Sequence, residues 1–208
     1  LMRFLADLGE PGSNMEKVKI LTGAGVVAAR FKDDDLIQIA MPIPSFKPQD
    51  AQFAGGADTI NVAVTLPGIS KPIVGTAVGV GNPHFVIFNT EMWDGDDIHE
   101  IGSRLAIYKD VFPAGVNVGF ARKEASDTLA LVVYERGVGP TLACGSGAIA
   151  AVAAGVATEQ FGFEQPVIVR MPGGLLTVTI GNDWKYAVLE GEATKIYSGQ
   201  VETPFHIV

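Results

Sequence analysis

The stretch Tyr134–Ala157, YERGVGPTLACGSGAIAAVAAGVA, runs from the end of a strand, through a glycine-rich turn carrying Cys144, into a helix with hardly a polar atom. A helix that is apolar on every side must be buried on every side, so the rest of the chain has to wrap around it. A thiol therefore sits at the N-terminus of the most deeply buried helix.

Working outward, Val116–Ala121 and Thr128–Tyr134 lead into the turn as strands. After the helix come Val167–Arg170, Leu175–Ile180, Tyr186–Gly191 and a last run, Lys195–Val201, joined by turns such as Pro172-Gly173-Gly174 and Gly181-Asn182-Asp183. Upstream, Ile98, Ile101, Leu105 and Tyr108 share one helical face, which predicts an amphipathic helix over 98–108 lying on a sheet. Val18–Thr22, Val26–Phe31 and Leu36–Met41 predict an antiparallel meander with short connectors at 23–25 and 32–35. Pro42–Asp58 reads as loop or irregular edge. Thr59–Leu66 and Ile73–Val80 read as another strand pair, the second leading into GNPHFVIF at 81–88.

The opening LMRFLADLGE reads as the last turns of an amphipathic helix ending at Gly9, followed by a polar turn, EPGSN. This opening and AIAAVAAGVATEQFG both look like the end of a central helix released into a strand meander, as two repeats of one lobe would. The expected fold is α+β: two pseudo-symmetric lobes, each a mostly antiparallel sheet around a central buried helix, with the first lobe incomplete. Residues 1–72, completed by 195–208, would form the first lobe and 73–194 the second, with substrate between them.

At 208 residues, 48% of them hydrophobic, the chain can bury a sizeable core. A net charge of -8 with scattered Lys and Arg argues against nucleic acid or an anionic membrane surface as partner, since either needs a basic patch. The single cysteine excludes an internal disulfide framework and points to a reducing, cytoplasmic compartment. No apolar run is long enough to span a bilayer, and none reads as a signal peptide.

Cys144-Gly145-Ser146-Gly147 places the thiol where free backbone N–H groups and the positive end of a helix dipole favour an anion. Such a setting is expected to lower a cysteine pKa, and the glycines let a bound carboxylate come close. The plain alternative is a small buried hydrophobe opening a core helix. Glu135 and Arg136 would point to opposite faces of a strand, or form an exposed pair if the strand ends there. Asn82 and His84 flank Pro83, which fixes the turn that aims them; a structural imidazole is the alternative for His84. Gly145-Ser-Gly147-Ala-Ile-Ala150 fits a dinucleotide fingerprint formally, but a long loop separates it from its strand and the neighbours look antiparallel. A cysteine-nucleophile hydrolase with His84 as base is a further alternative. No metal site is expected, because His84, His99 and His206 are far apart in sequence.

Together, GNPHFVIF, VNVGFA, YERGVGPTLACGSGAIAAVAAG and VLEGEATKIYSGQV resemble the blocks of the diaminopimelate epimerases, in order and over nearly the whole chain. That resemblance implies conversion of LL- to meso-diaminopimelate, for lysine and peptidoglycan precursors, by a two-base mechanism without cofactor or metal. One cysteine removes the Cα proton while a second delivers one to the opposite face. It implies that Cys144 is the second of these, acting as base in one direction and acid in the other, with Glu135 and His84 assisting catalysis. Asn82, Asn117, Glu135, Arg136, Gly145 and Ser146 would bind substrate: Arg136 the distal carboxylate, Glu135 the ammonium or the thiol, and the Gly145 and Ser146 N–H groups the reacting carboxylate. A homodimer is a possible assembly. The family's first cysteine turn and its helix have no counterpart here, so the chain is expected to begin just past them. Alone it is then expected not to epimerise, with a ligand-binding lobe that does not turn over as the alternative.

Overall fold

A computed structural model describes residues 2–7, 17–22, 25–32, 36–89 and 93–199. In order these form α1 (Met2–Asp7), β1 (Val18–Thr22), β2 (Gly25–Phe31), β3 (Leu36–Met41), β4 (Val62–Val64), β5 (Ile73–Gly79) and β6 (Pro83–Phe88). There follow α2 (Gly95–Ala106), β7 (Asn117–Ala125), β8 (Thr128–Glu135), β9 (Gly139–Thr141), α3 (Gly145–Ala157), β10 (Val167–Met171), β11 (Gly174–Ile180) and β12 (Ala187–Glu192).

Every residue of α3 from Gly147 to Val156 is buried, as an all-apolar helix requires. Strands β5, β6, β7, β8, β11 and β12 all touch it, so one sheet curls around the helix. The strand order is β1-β2-β3-β12-β11-β10-β8-β7-β6-β5-β4, with β9 paired to β8. Neighbours are antiparallel except β6 with β7 and β8 with β10. The class is α+β, with a sheet that is mostly antiparallel.

Side-chain alternation decides which row faces α3. Leu129, Leu131 and Val133 of β8, and Val167, Val169 and Met171 of β10, line the helix. Strand β6 is buried on both faces: Val86 packs toward α3, while Phe85 and Ile87 join a second cluster behind the sheet. Helix α2 closes that cluster with Ile98 and Leu105. Phe53, Val64 and Leu66 belong to the same cluster, and β4 pairs with β5 across positions 72 and 73. At the other end β12 pairs with β3, joining the N-terminal meander to the rest. There Met2, Ile20, Ala29, Ile37, Leu176 and Leu189 line an apolar groove of about 440 Å³.

Several elements differ from expectation. Helix α2 begins at Gly95 rather than Ile98, because the Asp94 carboxylate caps it by accepting the Asp97 N–H at 2.7 Å. The run Thr59–Leu66 is a strand only over Val62–Val64, since Asn61 takes a left-handed backbone conformation (φ 52°) that interrupts the extended chain. Lys195–Gly199 form no strand, and Ile196 and Tyr197 lie exposed, so the apolar pattern there buries nothing. Lys195 is tied to Asp7 by an ion pair of 3.3 Å. Gln200 and Val201, Gly9, the EPGSN turn, Gly23, Ala24, Asp33–Asp35 and His206 lie outside the described residues. Strand β9 was not expected; it folds the segment between Glu135 and Cys144 back onto β8.

Candidate active site

The rows of β6, β7 and β8 that face α3 all end at that helix's N-terminus. On β6, parity puts His84 on the same side as Val86, and Asn82, in the turn before the strand, meets the His84 ring. The parallel register sets His84 opposite Asn117 of β7. On β8, Glu135 continues the row Leu129, Leu131, Val133. Arg136 lies past the strand end, in the turn to β9, and is exposed. Three separated segments thus deliver their polar residues to one place.

Cys144 is the N-cap of α3, with extended backbone (φ -145°, ψ 107°), and no side chain caps the helix. Its sulfur lies 3.6 Å from Ser146 Oγ. That hydroxyl is 3.2 Å from His84 Nε2, and the same nitrogen is 3.0 Å from Asn82 Oδ1. The first turn of α3 comes this close to β8 because position 147 is glycine: a Cβ there would stand 2.8 Å from Val133 Cγ2 and 3.2 Å from the Cys144 sulfur. Asn117 Oδ1 accepts the Arg136 N–H at 2.9 Å, which fixes the turn after β8. The Arg136 guanidinium donates to the carbonyls of Ala114 and Gly115. Its stem fits over Gly115, where a Cβ would be 2.6 Å from Arg136 Cδ and the backbone φ is +73°.

His84 is 1% exposed, and this burial lowers its pKa from 6.5 to about 4, so the imidazole is neutral near pH 7. Burial also raises the Cys144 thiol above its ordinary value. The Ser146 hydroxyl and the dipole of the Gly147 N–H pull the other way, and the Glu135 carboxylate adds to the rise. The expected lowering by the helix N-terminus is thus overturned: desolvation and a nearby negative charge outweigh the dipole.

The structure brings Asn82, His84, Asn117, Glu135, Gly145, Ser146 and Cys144 to one site, with the Arg136 side chain resting on backbone carbonyls at its edge. Thr141 on β9 was missed: its hydroxyl donates to Glu135 Oε1 at 2.7 Å and holds that carboxylate. Its only sequence signal is its place in the segment between Glu135 and Cys144. Leu189 of β12 was missed as well. It stands 3.0 Å from where a Gly145 Cβ would be, so the apolar groove ends against the start of α3. Contrary to the expectation of antiparallel neighbours, β8 and β10 are parallel and α3 crosses between them, but β9 intervenes between the end of β8 and the glycine turn, so no strand runs directly into the helix as a dinucleotide fingerprint requires. Among the described residues no three His, Cys, Asp or Glu side chains are grouped to hold a metal, and no helix is long and apolar enough to cross a membrane.

The diaminopimelate epimerase family model matches residues 76–196. The chain is 33% identical over 207 residues to the diaminopimelate epimerase of Acaryochloris marina, covering 98% of this chain and 71% of that protein. It is 33% identical over 200 residues to the enzyme of the same name from Laribacter hongkongensis, covering 96% and 69%. Among solved structures, a probable proline racemase from Agrobacterium radiobacter superposes with a TM-score of 0.64 at 15% identity, covering 98% of this chain and 66% of that one. A hydroxyproline epimerase from Agrobacterium vitis gives 0.60 at 15% identity, covering 86% and 57%. These two likenesses show a shared fold. The sequence matches show more: the chain belongs to the diaminopimelate epimerase family, whose members are isomerases.

Proposed function

We propose that Cys144 is one of the two acid–base groups that invert an amino-acid Cα, converting LL- to meso-diaminopimelate. The observation that carries this reading is the placement of Cys144: a thiol at the foot of α3, among polar groups that β6, β7 and β8 gather, in a chain of this family. The Cys144 thiolate takes the Cα proton, and the electron pair of the broken C–H bond passes into the substrate carboxylate. The N–H groups of Gly145 and Ser146, at the positive end of α3, meet the developing charge there. An acid on the opposite face then returns a proton to Cα. In the other direction the Cys144 thiol gives its proton up. Glu135 attracts the substrate ammonium, Asn82 and Asn117 line the site, and the Arg136 fork at its edge suits the distal carboxylate.

Inversion needs an acid–base group on each face, and these 208 residues contain one cysteine. A hydrolase would need the imidazole on the thiol, whereas His84 Nε2 bonds Asn82 and Ser146.

Deuterium exchange tests the reading. With LL-diaminopimelate in deuterated water, the 208-residue chain should incorporate deuterium at Cα slowly and without forming the meso isomer, and Cys144→Ala should abolish that exchange. Equal exchange by the chain and by Cys144→Ala overturns the role of the thiol. Meso product from the 208 residues alone overturns the two-thiol route.

A further inference from the structure

The structure points to an oriented hydrogen-bond relay running Asn82–His84–Ser146–Cys144, in which Ser146 is the positioning residue that donates to the sulfur and favours its thiolate form. The relay rests on Cys144 being the reactive thiol, not on the identity of the substrate.

The distances along it are 3.0 Å from Asn82 Oδ1 to His84 Nε2, 3.2 Å from Nε2 to Ser146 Oγ, and 3.6 Å from Oγ to the Cys144 sulfur. A neutral imidazole carries one N–H, and a hydroxyl has one proton to donate. Two directions are therefore open to this chain. If the proton is on Nδ1, Ser146 donates to Nε2, and its oxygen is left to accept from a Cys144 S–H, which favours the thiol. If the proton is on Nε2, the ring donates to Asn82 and Ser146, and the hydroxyl proton is free to point at the sulfur, which favours the thiolate. Asn82 decides between them. Its Oδ1 only accepts, so it calls for the proton on Nε2. The asparagine is itself set by the turn before β6, where its carbonyl accepts the Val80 N–H at 3.0 Å.

Beside the Gly147 N–H, this relay is the main local support for a negative sulfur. His84 is held neutral by burial, so it brings no positive charge. Glu135, at the end of β8, acts against ionisation. The strands β5, β7, β11 and β12 present apolar side chains to α3, among them Val78, Ala121, Val178 and Leu189. A hydrogen bond to a charged acceptor is worth enough to change the thiolate fraction about tenfold.

The test is the pH profile of iodoacetamide alkylation on the intact 208-residue chain, where Cys144 is the single thiol. Ser146→Ala should move the profile about one pH unit to the alkaline side and slow alkylation near pH 7 about tenfold. Ser146→Thr, which keeps the hydroxyl, should restore it. Nitrogen-15 NMR of His84 should place the proton on Nε2, and Asn82→Leu should shift the alkylation profile the same way as Ser146→Ala. An unmoved or acid-shifted profile in Ser146→Ala, or a proton on Nδ1 in the unmodified chain, overturns the relay. If Ser146→Ala does not fold, the threonine variant and the NMR measurement still decide. Alkylation requires no substrate, so failure here leaves the deuterium-exchange reading standing, and failure there leaves this one standing.

Discussion

The body of α3 and the imidazole beside its N-terminal end are equally dry and behave in opposite ways. Ile149 is 0% exposed and His84 is 1% exposed, yet burial stabilises the first and constrains the second. Along the body, removing apolar surface from water is favourable at every residue, and no polar group needs a partner. At the N-terminal end the same exclusion of water acts against charge, holding His84 neutral and pushing the Cys144 thiol up. A helix N-terminus is therefore not sufficient to activate a cysteine. Where the thiol at the start of a helix is itself buried, ionisation depends on individual donors within reach of the sulfur.

The largest effect is expected in the body. Ile149→Ala leaves a cavity against the curled sheet and should cost about 4 kcal/mol in chemical denaturation; a loss under about 1 kcal/mol would show that this core collapses around deletions. Next comes the acid response of the mouth. The folded-state pKa of His84 lies below its unfolded value of 6.5, so the unfolded chain binds the proton first as pH falls. Its contribution to stability is complete above about pH 6.5 and declines until about pH 4, by roughly 3 kcal/mol in all. A His84→Gln variant should lack that part of the slope. Identical pH slopes for the two proteins would contradict a buried neutral imidazole. A smaller effect joins the two regions: in Gly147→Ala the new methyl must displace Val133 or the Cys144 sulfur. Overpacking outweighs the gain in helix propensity and leaves a net loss of about 1 kcal/mol.

The body was legible in sequence and the mouth only in part, for a physical reason. Burial of α3 follows from its composition alone, because no face of it can meet water. The rows of β8 and β10 follow from period-two alternation. The position of Cys144 was readable because two glycines, Gly145 and Gly147, follow a thiol at the start of an apolar helix. What sequence leaves open is which residues meet across strands. The contact between His84 and Ser146 spans 62 positions and depends on strand register and on the wrap of the sheet, neither of which has a local signature. Strand β9 is only Gly139–Thr141, too short for periodicity to mark, so the bond from Thr141 to Glu135 stayed hidden. The direction of the Cys144 shift was misread for the same reason: the dipole is visible in sequence, while the depth of burial of the helix end is not. At Thr59–Leu66, β-type composition was overridden by one left-handed residue, Asn61.

The smallest predicted effect isolates charge from geometry at the mouth. Glu135→Gln keeps an oxygen that accepts the Thr141 hydroxyl, so the β8–β9 turn and the approach to Cys144 are retained. What it removes is the negative charge that works against ionisation of the sulfur. The alkylation profile of Cys144 should therefore move about half a pH unit to the acid side, making the reaction about threefold faster near pH 7. This is opposite in sign to Ser146→Ala, although both substitutions remove one polar feature near the same atom. A profile that stays in place would mean that the Glu135 charge is screened from the sulfur. Burial and the hydroxyl relay would then set Cys144 by themselves, and the carboxylate would be left free to act on substrate alone.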